Sequence, residues 1–481
     1  MPFHSTRHAA GATRPCRRSS VRLATLTVSA AALLGACSHD LDASLPYDVP
    51  ATYEANRSTT APKVSAWWTR FGSGELDGYM AAAGDDNLDI AVAAAQLEQA
   101  EAQSQITRAL LFPTLGFSEN ASRAQSSGTN VAKVVNTPRI GDQFSKILNA
   151  SYVIDVWGAN RDQLRASLHN RDASAYQVQV VRLTALSTVA NNYLLYAADL
   201  ERIMVAEENL ANARRILQVI RERVNAQTAS DLDLSQQQAL VETQKVNIAT
   251  LRLGAELSRT ALALALGRPP QGFHPSIKSL RRLRLPQVAG GLPSSLLVRR
   301  PDVRAAEEQM LADDANVDVA RKAFLPTITL TGSAGYQSAE LVNLIRPQSI
   351  VWSIAQGLTQ PIFEGGKLRG QLRLSEAQRQ QLLETYRKSI LSALTDVENA
   401  LISIREDARR EQAQRLAVNA SKQAFDLSEQ RLGAGTIDLT TLLTVQNALF
   451  AAQDSLIQIR LARLQAVVSL FQAIGGDWDD Q

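Results

Sequence analysis

The chain is written twice. Residues 89–117, DIAVAAAQLEQAEAQSQITRALLFPTLGF, are echoed by residues 302–330, DVRAAEEQMLADDANVDVARKAFLPTITL, with Asp89 matching Asp302 and Pro113 matching Pro326 at one offset. Further on, 155–164 (DVWGANRDQL) matches 361–372 (PIFEGGKLRGQL), and 223–234 (RVNAQTASDLDL) matches 431–442 (RLGAGTIDLTTL). Both halves close on a Leu/Ile-Gly step, Leu266-Gly267 and Ile474-Gly475. Self-similarity of this kind restricts the fold to architectures built from two copies of one unit. Each half reads helix, strand, loop, strand, long helix, turn, helix. The predicted organisation is a leader at 1–36, an N-terminal extension at 37–84, a first repeat at 85–267, a linking segment at 268–300, a second repeat at 301–475 and a tail at 476–481.

Long helices dominate the reading. From Lys367 to about Leu432 there is no proline and almost no glycine, a run of about 100 Å at 1.5 Å per residue. Ile390, Leu394, Val397, Leu401, Ile404 and Ala408 step by four and three, as a coiled-coil seam does. Leu183, Leu186, Ala190, Tyr193, Ala197 and Leu200 repeat the pattern in the first half. The return helices, roughly 231–266 and 438–474, are much shorter. The segments beginning at Asp89 and Asp302 are expected to stack end to end with them and supply the missing length.

Within this helical text the period drops to two. In 324–337, FLPTITLTGSAGYQ, Ile328, Leu330, Gly332, Ala334 and Tyr336 fall on one side, and Thr327, Thr329, Thr331, Ser333 and Gln337 on the other. A second strand is expected over 350–363, with Ile350, Trp352, Ile354, Leu358 and Ile362 opposite Ser353, Ala355, Gly357 and Thr359. The first repeat offers Phe144, Leu148, Ala150, Tyr152 and Ile154 against Ser145, Asn149, Ser151 and Asp155. Its partner at 114–121 is weakest, because Glu119 breaks the apolar face. Polar connections at 122–143 and 338–349 join the pairs. Such alternation suits a transmembrane β-barrel, apolar toward lipid and polar toward a wet lumen. It also suits a half-buried soluble sheet. The small, neutral polar face favours a crowded lumen. Four strands cannot close a barrel, and open edges in hydrocarbon leave backbone groups unsatisfied. A membrane reading therefore requires several copies of the chain.

The N-terminus adds an address. Residues 1–36 carry Arg7, Arg14, Arg17, Arg18 and Arg22 and no acid, followed by an apolar run of about 14 residues ending in LLGACS. That run is short of the roughly 20 residues that span a bilayer. Cys37 directly after Leu-Gly-Ala resembles the lipobox of bacterial lipoproteins, which implies acylation at Cys37 and, with Ser38 next, sorting to the outer membrane. Removing the leader takes five positive charges from the +3 total and leaves −2, so the mature chain has no charge for nucleic acid. Only Cys16 and Cys37 occur, which leaves no disulfide.

Catalytic chemistry is missing from the text. His39, His169 and His274 are scattered without a second ligand at helical spacing, so no metal site is expected. No nucleotide fingerprint or Ser/His/Asp spacing is found. The Gly433-Ala434-Gly435 cluster reads as a turn between helices. The chain is expected not to be an enzyme and to need no cofactor beyond the lipid on Cys37.

Taken together, these features resemble the TolC-like outer-membrane efflux family, in its lipoprotein branch serving resistance-type pumps. The stretch GLPSSLLVRRPDVRAAE at 291–307 carries most of the likeness, with QRLGAGTIDLTTLLTVQNALFAAQDSL at 430–456 and AIGGDW at 473–478. The resemblance implies a mainly α chain with membrane β: a long antiparallel coiled-coil α-barrel and four transmembrane strands per protomer, closing as a 12-stranded β-barrel in a homotrimer. It implies a passive exit duct for drugs or other small solutes, with a periplasmic adaptor, an inner-membrane pump and outer-membrane lipid as partners. The helix-turn-helix tips at 223–234 and 431–442 would be the working parts. Asp438 aligns with a family aspartate at the constricted end, where symmetry copies would form an anionic ring. Asp438 is equally placed to N-cap the last helix. Asp231 and Asp233 are the corresponding acids of the first tip. Arg431, Gly433, Ala434 and Gly435, with Arg223 and Ala226, resemble the motif an adaptor grips, and Gly433 and Gly435 would let the chain reverse. The segment RPPQGFHPSIKSLRRLRL at 268–285 is more basic than the resemblance predicts. The same fold could instead export metal ions or secreted polypeptides, and a periplasmic coiled-coil lipoprotein scaffold would share the helical pattern without transport.

Overall fold

The computed structural model describes residues 52–54, 66–125, 127, 140–286 and 300–476, all in the compact unit Val49–Gln481. In chain order these form helices α1 (Gly74–Asp86) and α2 (Leu88–Arg108), strands β1 (Thr114–Gln125) and β2 (Ile140–Ile154), and helices α3 (Ala159–Asn225), α4 (Asp231–Ala265) and α5 (Pro301–Lys322). Strands β3 (Thr327–Ser338) and β4 (Ile350–Thr359) follow, then helices α6 (Lys367–Gly433) and α7 (Leu439–Ala473).

Helices α3 and α6 are 67 residues each, and nothing in their sequence interrupts them. Both start behind a left-handed glycine, Gly158 at φ 78° and Gly366 at φ 88°, where the chain swings out of a strand connection without a Cβ clash. Their return partners α4 and α7 have 35 residues each. The length is made up as expected. Helix α3 packs along α4 and then α2, while α6 packs along α7 and then α5. The two short helices in each repeat meet at a splice. Asn87, the N-cap of α2, accepts from the Asp89 and Ile90 amides and donates its own amide to the Ala265 carbonyl at the end of α4, at 2.7 Å. Arg300 stands at the matching place before α5 and donates to the Ala473 carbonyl at the end of α7, at 3.1 Å. Each splice thus gives an orphan C-terminal carbonyl a partner from the next rod segment.

The two repeats are then laid side by side, with α3 packed along α5 and α7. The interface is apolar at the seam and ionic at its rim. Tyr193, Leu194, Val189 and Ala190 are buried on α3, and Arg202 pairs with Asp454 of α7 at 2.6 Å. A short 3-10 turn, Trp67–Phe71, stacks Trp67 on Phe471 at 5.0 Å between ring centroids.

The four strands form one antiparallel sheet in the order β1-β2-β3-β4, with β1 and β4 at its edges. The hairpin arms are longer than the sequence pattern suggests, since β1 runs to Gln125 and β2 starts at Ile140. Register explains the charged residues that hid this extension. Glu119 lies opposite Lys146 and Arg123 opposite Asp142, as cross-strand ion pairs at 3.1 and 3.5 Å. The register also sorts the sheet into two faces. Ile154, Ile328 and Leu358 align in one row, Ala150, Gly332 and Ile354 in another, and Leu148, Ala334 and Trp352 in a third. The opposite face carries Asn149 with Ser333 and Ser353, the two serine hydroxyls bonded at 2.8 Å. Trp352 and Ile354 are each 74% exposed in the single chain. At the foot of the sheet, Trp157 donates its indole N–H to the Pro326 carbonyl at 2.7 Å, tying the strand exits of the two repeats together.

Candidate functional site

The two helix-turn-helix tips are built alike because each first helix ends in the same cap. At the first tip, Gln227 N–H donates to the Val224 carbonyl and Thr228 N–H to the Arg223 carbonyl, at 2.9 and 2.8 Å. At the second, Gly435 N–H donates to Leu432 and Thr436 N–H to Arg431, at 3.0 and 2.9 Å. This pair of bonds is a Schellman cap, which needs one left-handed residue. Gly435 supplies it at φ 72°, and Gln227 takes the same conformation at φ 59°. A side chain in that region costs about 1–2 kcal/mol, so the first tip carries strain that the second avoids. The reversal therefore rests on Gly435 alone. Gly433, expected to help, closes the last turn of α6. Ala226 and Ala434 are the matching C-caps, in ordinary right-handed geometry.

The acids restart the chain as helices. Asp438 is the N-cap of α7 and accepts from the Thr441 amide at 2.8 Å. Hydrogen bonding from the Thr441 side chain, and then from its amide, holds the Asp438 carboxyl below the ordinary aspartate range, and the group is fully exposed. In the first tip Ser230 takes this position, and Asp233 closes a capping box by accepting from the Ser230 amide and hydroxyl at 3.0 and 2.8 Å. Asp231 is exposed in the first turn of α4. Among the described residues neither Asp231 nor Asp438 forms an ion pair. The cap reading of Asp438 is thus realised within one chain. Cys37 lies outside the described residues.

Arginines join the tips to each other. Arg223 reaches across from α3 and donates to the Leu432 and Gly433 carbonyls at the end of α6, at 2.6 and 2.9 Å. Positive charge at a helix C-terminus is favourable, and here it meets two carbonyls left over by the last turn. Two turns back, Arg215 and Glu429 form a two-pronged pair, its second arm at 3.0 Å. Beneath them Ile216, Ile220, Phe425, Leu432, Leu439, Leu442, Leu449 and Phe450 make a shared apolar cluster. Arg431 occupies the place of Arg223 in the second repeat, 208 residues on, and is exposed with no side-chain bond among the described residues. Sequence reasoning named Arg223 but missed Arg215, Glu429 and the carbonyl contacts. An Arg-to-Glu pairing between distant helices had no local signal, and backbone acceptors carry no residue identity at all.

No described helix is long and apolar enough to cross a membrane. Comparison with known proteins gives the family. The family described as Outer membrane efflux protein matches residues 81–268 and 292–476, one segment per repeat. The pyoverdine export outer membrane protein OpmQ of Pseudomonas aeruginosa is 37% identical over 457 residues, 94% of this chain and 96% of that protein. The solvent efflux pump outer membrane protein SrpC of Pseudomonas putida is 33% identical over 82% of this chain and 84% of its own. The fold is shared with the crystal structure of the Campylobacter jejuni CmeC outer membrane channel, at a TM-score of 0.85 over 92% of this chain and 95% of that one, with 24% identity. The chain belongs to the outer membrane efflux protein family, the TolC-like, non-enzymatic outer-membrane channels of tripartite efflux pumps.

Proposed function

We propose that three copies of this chain close into one continuous duct, a 12-stranded β-barrel in the outer membrane leading into a helical barrel in the periplasm, through which small organic solutes leave the cell. The observation that carries this reading is the sheet. Its apolar face is exposed, and its edges β1 and β4 have no partner among the described strands. In hydrocarbon those edges must pair, and only other copies can pair them. Two copies would give eight strands, an interior that side chains fill. Three leave a lumen.

The helices support the same closure. Within one copy, α3 lies along the jointed rod of α5 and α7. The repeat makes α6 of one copy the counterpart of α3, and α2 with α4 of the next copy the counterpart of that rod. Both surfaces carry an unpartnered apolar stripe. On α4 it is Leu232, Val246, Leu253, Leu257 and Leu264, and on α6 it is Leu391, Ile402, Leu416 and Leu427, each spaced to fall on one helical face.

At the tips, Asp438 copies around the axis would form an anionic ring, and Arg431 would reach the carbonyls of Val224 and Asn225 in the next copy as Arg223 does within its own. An adaptor that engages Arg431, Gly433, Ala434 and Gly435, with Arg223 and Ala226 beside them, would break that contact and open the end. Cys37 would carry the lipid that holds the chain at the membrane. The relatives named for pyoverdine export and solvent efflux favour small solutes over polypeptides as cargo. Purified protein in planar bilayers is expected to give a low conductance that adaptor addition raises, and to run as a heat-labile trimer on gels. A protein that stays monomeric in detergent and never conducts would sink the proposal.

A further inference from the structure

The duct leaves one charged segment unused. Residues 268–286, RPPQGFHPSIKSLRRLRLP, hold four arginines and one lysine and no acid. They run from the end of α4 across the middle of α3 as a strap pinned on its inner side. Ile277, Leu280 and Leu283 are buried against the rods. Glu75 of α1 accepts the Ile277 amide at 3.1 Å, and Glu201 of α3 accepts the Ser279 hydroxyl and the Arg281 Nε, both at 2.7 Å. The Arg284 amide donates to the Phe71 carbonyl at 2.9 Å. With its backbone so held, the strap points the side chains of Lys278, Arg282 and Arg284 outward, all exposed and without a side-chain hydrogen bond or ion pair among the described residues. Arg281 spends its charge on Glu201, so that Lys278, Arg282 and Arg284 stand together as uncompensated cations, with Arg268 at the far end of the strap.

The strap and α1 form a second layer over the rods. In a closed cylinder that layer lies outside, since three copies of it inside would fill the lumen. Its height follows from Glu201, which is 42 residues into α3 and 24 from its end, about 63 Å below the sheet and about 36 Å above the tips. A rod of about 100 Å hanging from the outer membrane passes through the cell-wall mesh of that compartment, whose peptide stems bear free carboxylates. A protein gripping the tips would dock well below the strap.

We propose that the strap is a docking surface for this carboxylate-bearing glycopeptide polymer, peptidoglycan, with Lys278, Arg282 and Arg284 taking its carboxylates and fixing the duct in the wall. The proposal rests on the duct reading for its geometry, and its test is read separately from conductance. Full-length protein in detergent is mixed with purified cell-wall sacculi and sedimented. It is expected to co-sediment at low salt and to be released as salt screens the charges. Replacing Lys278, Arg282 and Arg284 together by glutamine is expected to lower the bound fraction about tenfold, as three exposed charge contacts of ordinary strength predict. Sacculi whose carboxylates have been converted to amides should bind as poorly. The triple variant must keep the wild-type conductance and heat-labile trimer, because all three side chains are exposed. Equal sedimentation of wild type and triple variant, or undiminished binding to amidated sacculi, overturns the strap's role and leaves the duct standing.

Discussion

The Asn87 amide meets the Ala265 carbonyl at 2.7 Å across 178 residues of sequence, and Arg300 meets Ala473 in the same place one repeat on. Each contact converts two separate helices into one rod as long as its neighbour. Asn87→Asp keeps the cap on α2 but removes the donor, whereas Asn87→Ala removes both. The cap alone is worth about 1 kcal/mol, so Ala is expected to lower the temperature of heat dissociation of the oligomer more than Asp does. Arg300 also pairs with Asp302 and Asp396 while largely buried. Arg300→Ala should cost about 1–2 kcal/mol, chiefly by leaving the Ala473 carbonyl unpaired, because Asp302 and Asp396 remain partly exposed to water.

Closure between copies can be read from a single cysteine pair. Arg202 and Asp454 touch at 2.6 Å within one chain, and the offset of 208 residues makes Arg410 and Val246 their counterparts between chains. Val246→Cys combined with Arg410→Cys is expected to yield dimers and trimers linked by a short bifunctional thiol reagent, since an Arg–Asp contact sets the two Cβ atoms further apart than a direct disulfide spans. Either change alone should yield none. Linked species absent after treatment would mean that the seam is drawn in the wrong place.

At the tip, Asp438→Asn and Asp438→Ala separate charge from cap. Asparagine caps a helix as well as aspartate. If the anionic ring holds the end shut, both variants raise conductance in planar bilayers and weaken cation selectivity. If the residue serves only α7, asparagine is silent and alanine alone acts, by about 1 kcal/mol on stability. Arg431→Ala should raise conductance at once, since the contact proposed for it would lie between copies. Arg223→Ala should act less, because Arg215, Glu429 and the apolar cluster still hold the two tips of one copy.

The sheet predicts opposite outcomes for neighbouring residues. Leu330 and Thr331 lie on opposite faces of the sheet, which in the proposed barrel would turn Leu330 to the lipid and Thr331 to the lumen. Leu330→Arg puts a charge in hydrocarbon at a cost of about 2–4 kcal/mol near the midplane and should reduce the yield of assembled trimer. Thr331→Arg should assemble normally and shift the channel toward anions. The readouts are the heat-labile gel band and the reversal potential.

Acid should loosen the middle of the helical barrel through Glu411. Burial pushes its carboxyl up, but hydrogen bonds and charge from Arg463 and Arg415 outweigh this and hold it below the ordinary 4.5. A lowered folded value means that the stabilisation is complete above the unfolded value and is lost as pH falls through the folded one. Heat dissociation should therefore be flat from pH 8 to about 5 and fall below about pH 4, and Glu411→Gln should flatten part of that fall.

Much of this architecture is legible in the amino-acid text, for physical reasons. Period two in 327–336 and hydroxyls on one face are backbone geometry written in residue types, and the duplication doubles every signal. Asp438 could be read as a cap because capping is local. The end-to-end stacking of the short helices could be read from their missing length, but the contacts at the splices could not, because Asn87 and Ala265 are brought together only by packing on α3. The outer ends of β1 and β2 were hidden for another reason. Arg123 and Asp142 look like loop residues until register sets them opposite each other. Arg223 was found through its likeness to Arg431, yet among the described residues only the first has a side-chain partner.

The splices have a mechanical consequence. Helices α3 and α6 are covalently unbroken from sheet to tip, while the rods between them are jointed at mid-height by a side chain on a carbonyl. Such a joint bears compression along its axis but passes on little torsion. In the proposed cylinder the lower half would unwind about these pivots while the upper half, and the membrane cylinder above it, would not turn.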